Sequence, residues 1–437
     1  MSLTALLFLM GFGAGVVLSF VRHPFWGLAA YVAVYYLDAP SRWWGESLPG
    51  LRWALLIALC TLLSVLIHKR AERQNWLKQG PIWVVIVYLA WMIVQSLWAV
   101  SGEDHTNGVV TFSKYIVVLF LVYTIVDTKE RLVDFMLVHV IGCFYLALLA
   151  YFSYTGGRLD GIGGPGISDA NSLGMQMGTA AMCAAAIYFA RSDWRKWVAA
   201  ASLPFILNAI VMSGSRGAFL ALLVGGFGLV YLRPAGQTAR LGVYAVAGLA
   251  MLLYLASDLF IERIATIGEV TQEQPEEVDQ SVATRLELFR KQWEMAKDYP
   301  LGAGHKGTAA LSVSYLSEEH MSNEGGRSSH NTLMSALVDQ GFLGAFLWLL
   351  LMWLLFRRLQ RVNKAFDAAE DRLGGWLAAG LFGAVVVYWA AGMFAPLFRA
   401  EIYMWLIAAI CASETLVQSE ARETPATPVR RRTSGTI

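Results

Sequence analysis

The chain has 437 residues, of which 57% are hydrophobic and only 15% are charged, and its formal net charge at pH 7 is +2. Average soluble domains carry about 25% charged residues, so this composition excludes an ordinary soluble protein and favours a polytopic helical membrane protein with one main membrane domain. The small net charge carries little information, because the distribution of charges along a membrane protein matters more than their sum.

Apolar runs of about 17 to 25 residues, the length that a helix needs to cross a bilayer core, recur along nearly the whole chain. The first run has no basic residue ahead of it and no small-residue cleavage site, so it is interpreted as a retained helix and not as a signal peptide. The first two runs are short and could form one hairpin, which makes the predicted count about 12 or 13. The predicted spans cover residues 2–20, 25–38, 51–67, 81–99, 109–126, 132–154, 172–190, 196–212, 217–232, 240–257, 331–356, 374–394 and 401–418.

The four cysteines all fall inside these apolar runs. This placement argues against disulfide bonds and against a zinc site. We interpret them as small buried residues. They are Cys60, Cys143, Cys183 and Cys411.

Basic residues are concentrated in the connections that alternation places on one side of the membrane. Cytoplasmic loops carry an excess of Lys and Arg, so this side is assigned to the cytoplasm. The basic segments are "HKRAERQNWLK", "DTKER", "ARSDWRKW", "FRRLQRVNKAFDAAEDR" and the tail at Arg430 to Arg432. The opposite, outer side then receives residues 101–108, 155–171, the "SGSR" turn and the long stretch 258–330.

The stretch 258–330 is the only sizeable segment that the sequence predicts outside the membrane. Its first part, "GEVTQEQPEEVDQ", is acidic and contains proline, which is typical of a mobile loop. The following "SVATRLELFRKQWEMAKDYP" predicts an amphipathic helix that ends at Pro300 and lies on the outer membrane surface or caps the helix bundle. A Gly-rich turn, "LGAGHKG", comes next. The apolar residues at helical spacing are Val282, Leu286, Phe289, Trp293 and Ala296.

The predicted fold is all-α, a polytopic transmembrane helical bundle of about 12 spans with one large periplasmic loop that contains the amphipathic helix. Transmembrane helices occupy 1–257, the periplasmic loop 258–330 and the C-terminal transmembrane helices 331–419. The last segment, 420–437, is polar, basic and rich in Pro and Thr, so we expect a disordered cytoplasmic tail.

Three ionisable side chains converge on the predicted outer side. Arg216 lies in a tight turn between two spans, Arg285 opens the amphipathic helix, and His330 precedes a span that Asn331 could cap. Taken singly, a helix-end arginine is usually a lipid anchor, an arginine on an amphipathic helix usually faces water, and an interfacial histidine is usually structural. Neighbouring outer loops add candidate substrate-binding residues, namely Arg158, Asp169, Asn171 and Lys306, and Asn331 is a further candidate for substrate binding.

Arg216 fits the lipid-anchor interpretation least. The positive-inside bias disfavours arginine in a short outer loop, and the guanidinium group suits bidentate contacts with phosphate. Gly214 and Gly217 remove side-chain bulk around it, so we expect a large anionic group to reach the guanidinium and the backbone.

Three segments resemble the signature segments of the O-antigen ligase and polymerase superfamily. They are "SGSRGAFLALL", "W…YPLGAGHKG" and "SHNTLMSALVDQGFLG", in the same order and spacing, with the large outer loop. The resemblance covers residues 100–415, and the segment from His330 to Gly344 is its most specific part. The outer "SDAN", residues 168–171, resembles an Asp-Pro-Asn element in which Ala170 replaces the proline. The N-terminal hairpin is similar to that of O-glycosylation ligases in the same superfamily.

This resemblance implies a glycosyltransferase that works without a cofactor at the periplasmic face of the bacterial inner membrane. Its donor would be a polysaccharide on undecaprenyl pyrophosphate. For an O-antigen ligase, the acceptor would be the lipid A-core oligosaccharide. Membrane lipids would surround the protein, and no nucleic acid is expected as a partner.

The candidate residues agree with that chemistry. A sugar hydroxyl would attack the anomeric carbon of the donor and expel a lipid pyrophosphate, which needs charge stabilisation more than it needs a proton. The outer loops hold no Asp-x-Asp pair for a metal ion, so Arg216 and Arg285 are predicted to act as preorganised cations in a metal-independent enzyme. His330 is the predicted general base, because an ordinary histidine pKa of about 6.5 lies near the working pH.

Several alternatives stay open. An O-antigen polymerase or a protein O-oligosaccharyltransferase would use the same donor and a different acceptor. A transporter would need paired charges and broken helices near the middle of the membrane, whereas most apolar runs are uncharged at their centres. Lys114 is the exception, and we interpret it as snorkelling to the outer surface. A purely structural scaffold would leave the stretch 258–330 unexplained.

Overall fold

The computed structural model describes residues 2–69, 76–157, 159, 162, 164, 169–255, 261, 275–317, 326–397 and 400–423. Within these ranges, the backbone but not the side chains is described at 249, 253, 275–286 and 418–423. All regular secondary structure in the described ranges is helical, which confirms the predicted all-α class. The acidic part of the outer loop before Pro275, the predicted tail from 424 onwards and Arg158 lie outside the described residues. The rest of the acidic segment, 275–280, and the tail residues 420–423 are helical, so the predictions of a mobile loop and a disordered tail are wrong there.

The α-helices follow the predicted spans closely. They are α1 (Leu3–Val21), α2 (Phe25–Leu37), α3 (Trp53–Ile67), α4 (Gly80–Gln95), α5 (Gly102–Ile125), α6 (Lys129–Ser153), α7 (Ala170–Ala190), α8 (Trp194–Ser213), α9 (Arg216–Tyr231), α10 (Thr238–Leu255), α11 (Pro275–Asp298), α12 (Gly307–Tyr315), α13 (Thr332–Ala368), α14 (Arg372–Gly392) and α15 (Glu401–Glu423). Short 3-10 helices occupy Ala39–Ser41, Gly45–Ser47 and Trp76–Lys78.

Seven helices in the described part are long and apolar enough to cross a membrane, namely α1, α5, α6, α7, α8, α13 and α14. The apolar helices α3, α4, α9 and α10 are shorter. The multi-pass membrane architecture is therefore confirmed, whereas the count of about 12 spans stays a prediction.

Close approach of small residues joins the central helices. A Cβ atom added to Gly225 of α9 would lie 2.3 Å from Cγ2 of Val387 on α14, and one added to Gly178 of α7 would lie 2.7 Å from Cγ1 of the same valine. Helix association inside lipid depends on van der Waals packing, because lipid tails are as apolar as the helix surfaces. Glycines therefore let α7, α9 and α14 form a tight centre.

The basic connections meet at one end of the bundle, where they form ion pairs. The Lys129 ammonium lies 2.7 Å from Asp371, which joins the starts of α6 and α14. Arg191 donates to Asp193 at 2.6 Å, and this hydrogen bond lowers the pKa of the Asp193 carboxyl to about 2. Arg358 of α13 pairs with the Glu414 carboxylate of α15 at 2.9 Å. The starts of α7, α9 and α13 lie at the opposite end.

Two connections are more helical than the sequence predicted. Helix α5 begins at Gly102, so most of the predicted outer connection 101–108 forms its first turns. Helix α13 continues to Ala368, so most of the predicted basic connection extends the helix beyond the apolar part. Charged residues end a membrane span, but they are good helix formers and need not end a helix.

The amphipathic helix is confirmed as α11, and its apolar side chains are divided between a buried and an exposed face. Of the apolar residues at helical spacing, Phe289 and Trp293 are 50% and 45% exposed, whereas Ala296 is buried. The buried face consists of Leu288, Gln292, Met295 and Ala296. A polar glutamine lies in the middle of this face, and the aromatic residues Phe289 and Trp293 lie on the exposed side of the helix. Val282 and Leu286 belong to the part whose side chains are not described.

Candidate functional site

Arg216 is the first residue of α9, directly after a very short turn. Gly214 has a left-handed φ of 55° and ends α8, and the Ser215 side chain accepts a hydrogen bond from Ala218 N at 3.1 Å, which caps α9. Arg216 is half-buried. Our interpretation of Gly217 is wrong, because its missing side chain does not leave space for a ligand. A Cβ there would lie 2.7 Å from Cβ of Phe394, so this glycine makes room for the ring.

The start of α7 is joined directly to the Arg216 turn. Ser215 Oγ donates to Asn171 Oδ1 at 2.6 Å. Asp169 caps α7, because its Oδ1 accepts from Asn171 N at 2.9 Å and from Ser172 N at 3.1 Å. The sequence predicted Asp169 and Asn171 as substrate-binding residues, and the structure assigns both of them structural contacts beside Arg216.

The start of α13 reaches the same region through the turn at 393–397. Asn331 caps α13 as predicted, since its Oδ1 accepts from Leu333 N at 2.9 Å. The Asn331 amide donates to Met393 O at 3.5 Å, and Thr332 Oγ1 donates to Ala395 O at 2.7 Å. Because Phe394 of this turn also fills the space at Gly217, the turn lies between the starts of α9 and α13. It therefore brings the neighbourhoods of Arg216 and His330 together at one end of the bundle.

Three helix N-termini thus meet near Arg216, those of α7, α9 and α13. An N-terminus carries a partial positive charge of roughly half an elementary charge and favours bound anions. The arginine adds a full positive charge to this region. The electrostatics of this end of the bundle are suited to a negatively charged group.

Residues 300–304 cross α13 at a break in that helix. Gly341 has φ 71° and ψ −174°, which leaves carbonyl groups without their helical partners. These carbonyls bind elsewhere: Ala303 N donates to Val338 O at 2.9 Å and Gly304 N donates to Asp339 O at 2.9 Å. The Trp91 indole donates to Gln340 O at 2.8 Å. The two glycine-containing motifs that are far apart in the sequence therefore form one structural unit.

A cleft of about 430 Å³ opens beside this unit. It contains two predicted substrate-binding residues, Asp169 and Lys306, and also Ser329, the neighbour of His330. The lining residues are Tyr115, Asp169, His305, Lys306, Thr308, Ala309, Ser328, Ser329, Ser335, Ala336, Asp339, Gln340, Pro396, Leu397 and Ala400.

Several lining residues were not predicted from the sequence. Asp339 and Gln340 lie in the quoted "SALVDQGFLG" segment, where polar residues inside an apolar run were an available signal. Asp339 Oδ1 accepts from Thr308 N at 2.7 Å and from Thr308 Oγ1 at 2.8 Å, which fixes α12 against α13. Tyr115 has no distinctive sequence pattern, whereas His305 lies in the quoted "YPLGAGHKG" segment, which was an available signal. Their role depends on α5 lying beside residues 303–306.

The remaining predicted residues are placed as follows. Lys306 forms an ion pair with Asp104. His330 is half-buried at the entrance of α13. Arg285 belongs to α11, but its side chain is not described, and neither is Arg158. The structure therefore brings together Arg216, Asp169, Asn171 and Asn331 with the neighbourhood of His330.

α11 and α12 form a small layer over the cleft end of α13. The Tyr315 hydroxyl donates to Asp298 Oδ2 at 2.5 Å, and this hydrogen bond raises the pKa of Tyr315 to about 12. Met295, Ala303 and Val338 form an apolar cluster between α11, the 300–304 segment and α13. Among the described residues, no group of three or more His, Cys, Asp or Glu side chains is arranged to hold a metal ion.

Comparison with protein families identifies part of this architecture. The family model described as O-antigen ligase matches residues 201–349. The chain carries an O-antigen ligase domain. The matched segment includes Arg216, Arg285, Lys306, His330 and Asn331, whereas the resemblance seen in the sequence extended over 100–415.

The O-antigen ligase domain contains both crossing motifs and the starts of α9 and α13. Together with the seven apolar helices, this match indicates a multi-pass membrane protein that contains an O-antigen ligase domain. No curated protein matches the chain. The cleft contains residues of the matched segment, Tyr115 of α5 and the α7 cap Asp169, which precede it, and residues 396, 397 and 400, which follow it.

Proposed function

We propose that the protein is an O-antigen ligase of the bacterial inner membrane. It transfers a polysaccharide from undecaprenyl pyrophosphate to a hydroxyl group of the lipid A-core oligosaccharide at the periplasmic face. The observation that supports this most is the place of Arg216 at the start of α9, beside the starts of α7 and α13 and within an O-antigen ligase domain. That arrangement favours an anion such as a lipid pyrophosphate.

In the proposed reaction, the acceptor oxygen attacks the anomeric carbon of the donor. The bond between that carbon and the pyrophosphate oxygen breaks, and the bonding electron pair leaves with the pyrophosphate. Arg216 and Arg285 stabilise the charge that develops on this leaving group. Fixed donors aimed at developing charge lower the barrier because they need no reorganisation during the reaction.

His330 is the proposed general base. It takes the proton of the acceptor hydroxyl as the new glycosidic bond forms, and it releases that proton to water afterwards. Asn331 caps α13 directly after it, so the backbone at His330 is held at the helix entrance. A positioned base of this kind contributes typically about 10²- to 10⁴-fold to the rate.

The two closest alternatives change only the acceptor. An O-antigen polymerase would transfer the glycan to a second lipid-linked chain, and a protein O-oligosaccharyltransferase would transfer it to a hydroxyl of a protein. The O-antigen ligase domain supports the shared donor chemistry and does not distinguish these acceptors. A transporter is disfavoured because glycosyl transfer is the activity of the family.

Reconstitution tests the proposal. Purified protein in liposomes is incubated with a lipid-linked glycan and, separately, with lipid A-core, with donor alone and with an acceptor protein. The proposal expects a glycan–lipid A-core product on a gel. Product only from donor alone would identify a polymerase, product only on protein would identify an oligosaccharyltransferase, and either result would overturn the proposed acceptor.

A further inference from the structure

A second, smaller cavity lies next to the cleft, under the first turns of α5. Its volume is about 160 Å³. Its lining combines carboxylate, amide, hydroxyl and amine groups with aromatic rings. The lining residues are Met92, Asp104, Asn107, Gly108, Thr111, Phe112, Tyr115, His305 and Lys306.

The volume of this cavity suits one six-membered ring. A protein cavity of about 150 Å³ that is lined by apolar side chains takes up benzene. The cavity under α5 has nearly the same volume but a mixed lining. A ring that carries hydroxyl groups, and not a hydrocarbon ring, is therefore the matching occupant.

The arrangement of the lining also matches a sugar ring. Asn107 and Thr111 are four residues apart and lie on one face of α5, so their amide and hydroxyl groups can bond neighbouring hydroxyls. Phe112 and Tyr115 place aromatic rings on the same cavity, 6.3 Å apart between their centroids. A pyranose presents hydroxyls around its edge and C–H groups on its face, which require both kinds of contact.

Hydrogen bonds and an ion pair fix the wall between this cavity and the cleft. His105 Nε2 donates to Met92 O at 2.8 Å, and His105 Nδ1 accepts from His305 N at 2.9 Å. A Cβ on Gly108 would lie 2.3 Å from Cδ2 of His305, so the imidazole ring is seated directly on the α5 backbone. The ion pair between Lys306 and Asp104 crosses the same wall.

Three residues of that wall also line the main cleft. Tyr115, His305 and Lys306 contribute to both spaces. A sugar bound under α5 would therefore be one residue of a glycan whose neighbouring sugar lies in the cleft. A site for an unrelated ligand would not need to share its wall with the main cleft.

We propose that this cavity is a subsite for one pyranose ring of a glycan substrate. The ring belongs either to the acceptor oligosaccharide or to the sugars of the donor next to the pyrophosphate. This inference rests on the proposed function for the identity of the glycan, and it rests on the cavity alone for the binding of a sugar ring.

The test uses two cavity variants and one matched control in the full-length protein. Thr111→Leu removes a hydroxyl and fills space, and Asn107→Ala removes an amide at an exposed position that tolerates truncation. Val110→Leu is the control, because Val110 is adjacent to Thr111 on α5, is 47% exposed and does not line the cavity. The Michaelis constants for donor and acceptor are measured in the transfer assay, and melting temperatures confirm folding.

Thr111→Leu is expected to raise the Michaelis constant for one of the two substrates by at least about tenfold, and Asn107→Ala by about two- to tenfold. Val110→Leu should leave both constants unchanged. A rise for lipid A-core assigns the ring to the acceptor, and a rise for the lipid-linked glycan assigns it to the donor. Unchanged constants for both substrates in both folded variants would overturn the subsite.

A binding measurement separates this inference from the proposed function. Free core oligosaccharide and lipid-linked glycan are each titrated into detergent-solubilised wild-type protein and Thr111→Leu protein by calorimetry. If the wild-type protein fails to transfer glycan yet binds one of them at least about tenfold more tightly than the variant, the subsite stands without the ligase activity. Equal affinity of both proteins for both glycans overturns the subsite even when transfer succeeds.

Discussion

Arg216 lies at a helix position that favours a bound anion. It begins α9, where the positive end of the helix dipole repels a cation, and such an effect amounts typically to about 0.3–1 kcal/mol. A negatively charged ligand at this site would relieve the repulsion. The location of Arg216 at a helix N-terminus therefore favours a role in substrate binding. A lipid anchor would not require this location, because an arginine at either end of a helix can contact lipid headgroups.

The roles proposed for Arg216 and His330 predict different defects. Arg216→Ala should weaken donor binding about ten- to a hundredfold as well as turnover, and Arg216→Lys should rescue poorly because Lys lacks the planar fork. His330→Ala should remove turnover and leave donor binding nearly intact, because the base acts on the acceptor. Donor affinity and single-turnover rates on the same purified variants measure both effects.

Arg290→Ala provides a control for these measurements, because the Arg290 side chain is 75% exposed on α11. Normal donor binding by Arg216→Ala would return that arginine to the role of a lipid anchor. If His330→Ala transfers glycan at a near-normal rate, the histidine is structural and Asp169 becomes the next candidate for the base.

We predict that replacing the buried amide of Gln340 raises the stability of the protein and lowers its activity. Its side chain is 1% exposed, lines the cleft, and has no partner for its amide nitrogen or oxygen among the described residues. A buried polar group without a hydrogen bond costs about 1–3 kcal/mol. Gln340→Met keeps the length of the side chain, so we expect a higher melting temperature together with slower transfer.

Gln292 is a matched control, since it is 2% exposed with an unpaired amide nitrogen but lies on α11 away from the cleft lining. Gln292→Met should raise the melting temperature without slowing transfer. A Gln340→Met variant that melts at a lower temperature than the wild type would show that the amide is satisfied in the native state.

At the scale of elements, the crossing of the 300–304 segment over α13 holds the cleft in shape. Gly341 adopts a backbone conformation that is essentially restricted to glycine. A Cβ there would lie 2.5 Å from Pro300 O, and a Cβ at Gly302 would lie 2.5 Å from Gly341 N. The backbones touch at this crossing, so neither side can move away without breaking hydrogen bonds.

Gly341→Ala should therefore destabilise the protein by more than about 1–3 kcal/mol and reduce transfer with it. Gly226→Ala is the control, because a Cβ at that position in α9 meets nothing within 4 Å and alanine favours a helix by about 0.5–1 kcal/mol. Melting temperatures and transfer rates of both variants are compared with the wild type. Equal stability of Gly341→Ala and the wild type would contradict the crossing.

At the scale of the whole molecule, the placement of charges predicts how the bundle lies in the membrane. The basic connections meet at one end and the candidate site lies at the other, so the site should face the periplasm. A cysteine at position 276 of α11 should react with an impermeant thiol reagent in intact spheroplasts, and one at exposed Lys364 should not. The unmodified protein measures the background of the native cysteines, and reversed labelling would refute the orientation.

Metal independence is the second prediction at this scale. The proposed site stabilises the leaving pyrophosphate with Arg216, Arg285 and helix N-termini, so transfer in liposomes should continue in excess EDTA. Loss of product on chelation, with recovery after addition of Mg²⁺ or Mn²⁺, would require carboxylate ligands that the arginine mechanism does not use.

The sequence by itself determined the class of protein and the approximate bounds of nearly every helix. The length of an apolar run is a local property, because the bilayer is a uniform solvent that every span must cross. The cap at Asn331 and the existence of α11 were predictable for the same reason, since both depend on residues a few positions apart. The O-antigen ligase motifs were also visible in short stretches of sequence.

Only the tertiary structure decided which residues share the cleft and which faces pack. In lipid, both faces of a helix are apolar, so periodicity does not reveal the buried side. The need for glycine at 302 and 341 is explained only by the contact between their backbones in the folded chain. Tyr115 lines the cleft because α5 lies beside His305. The buried face of α11 follows from its contacts with α13, which bury Gln292 and leave Trp293 half exposed, because partners far away in the chain determine where burial is available.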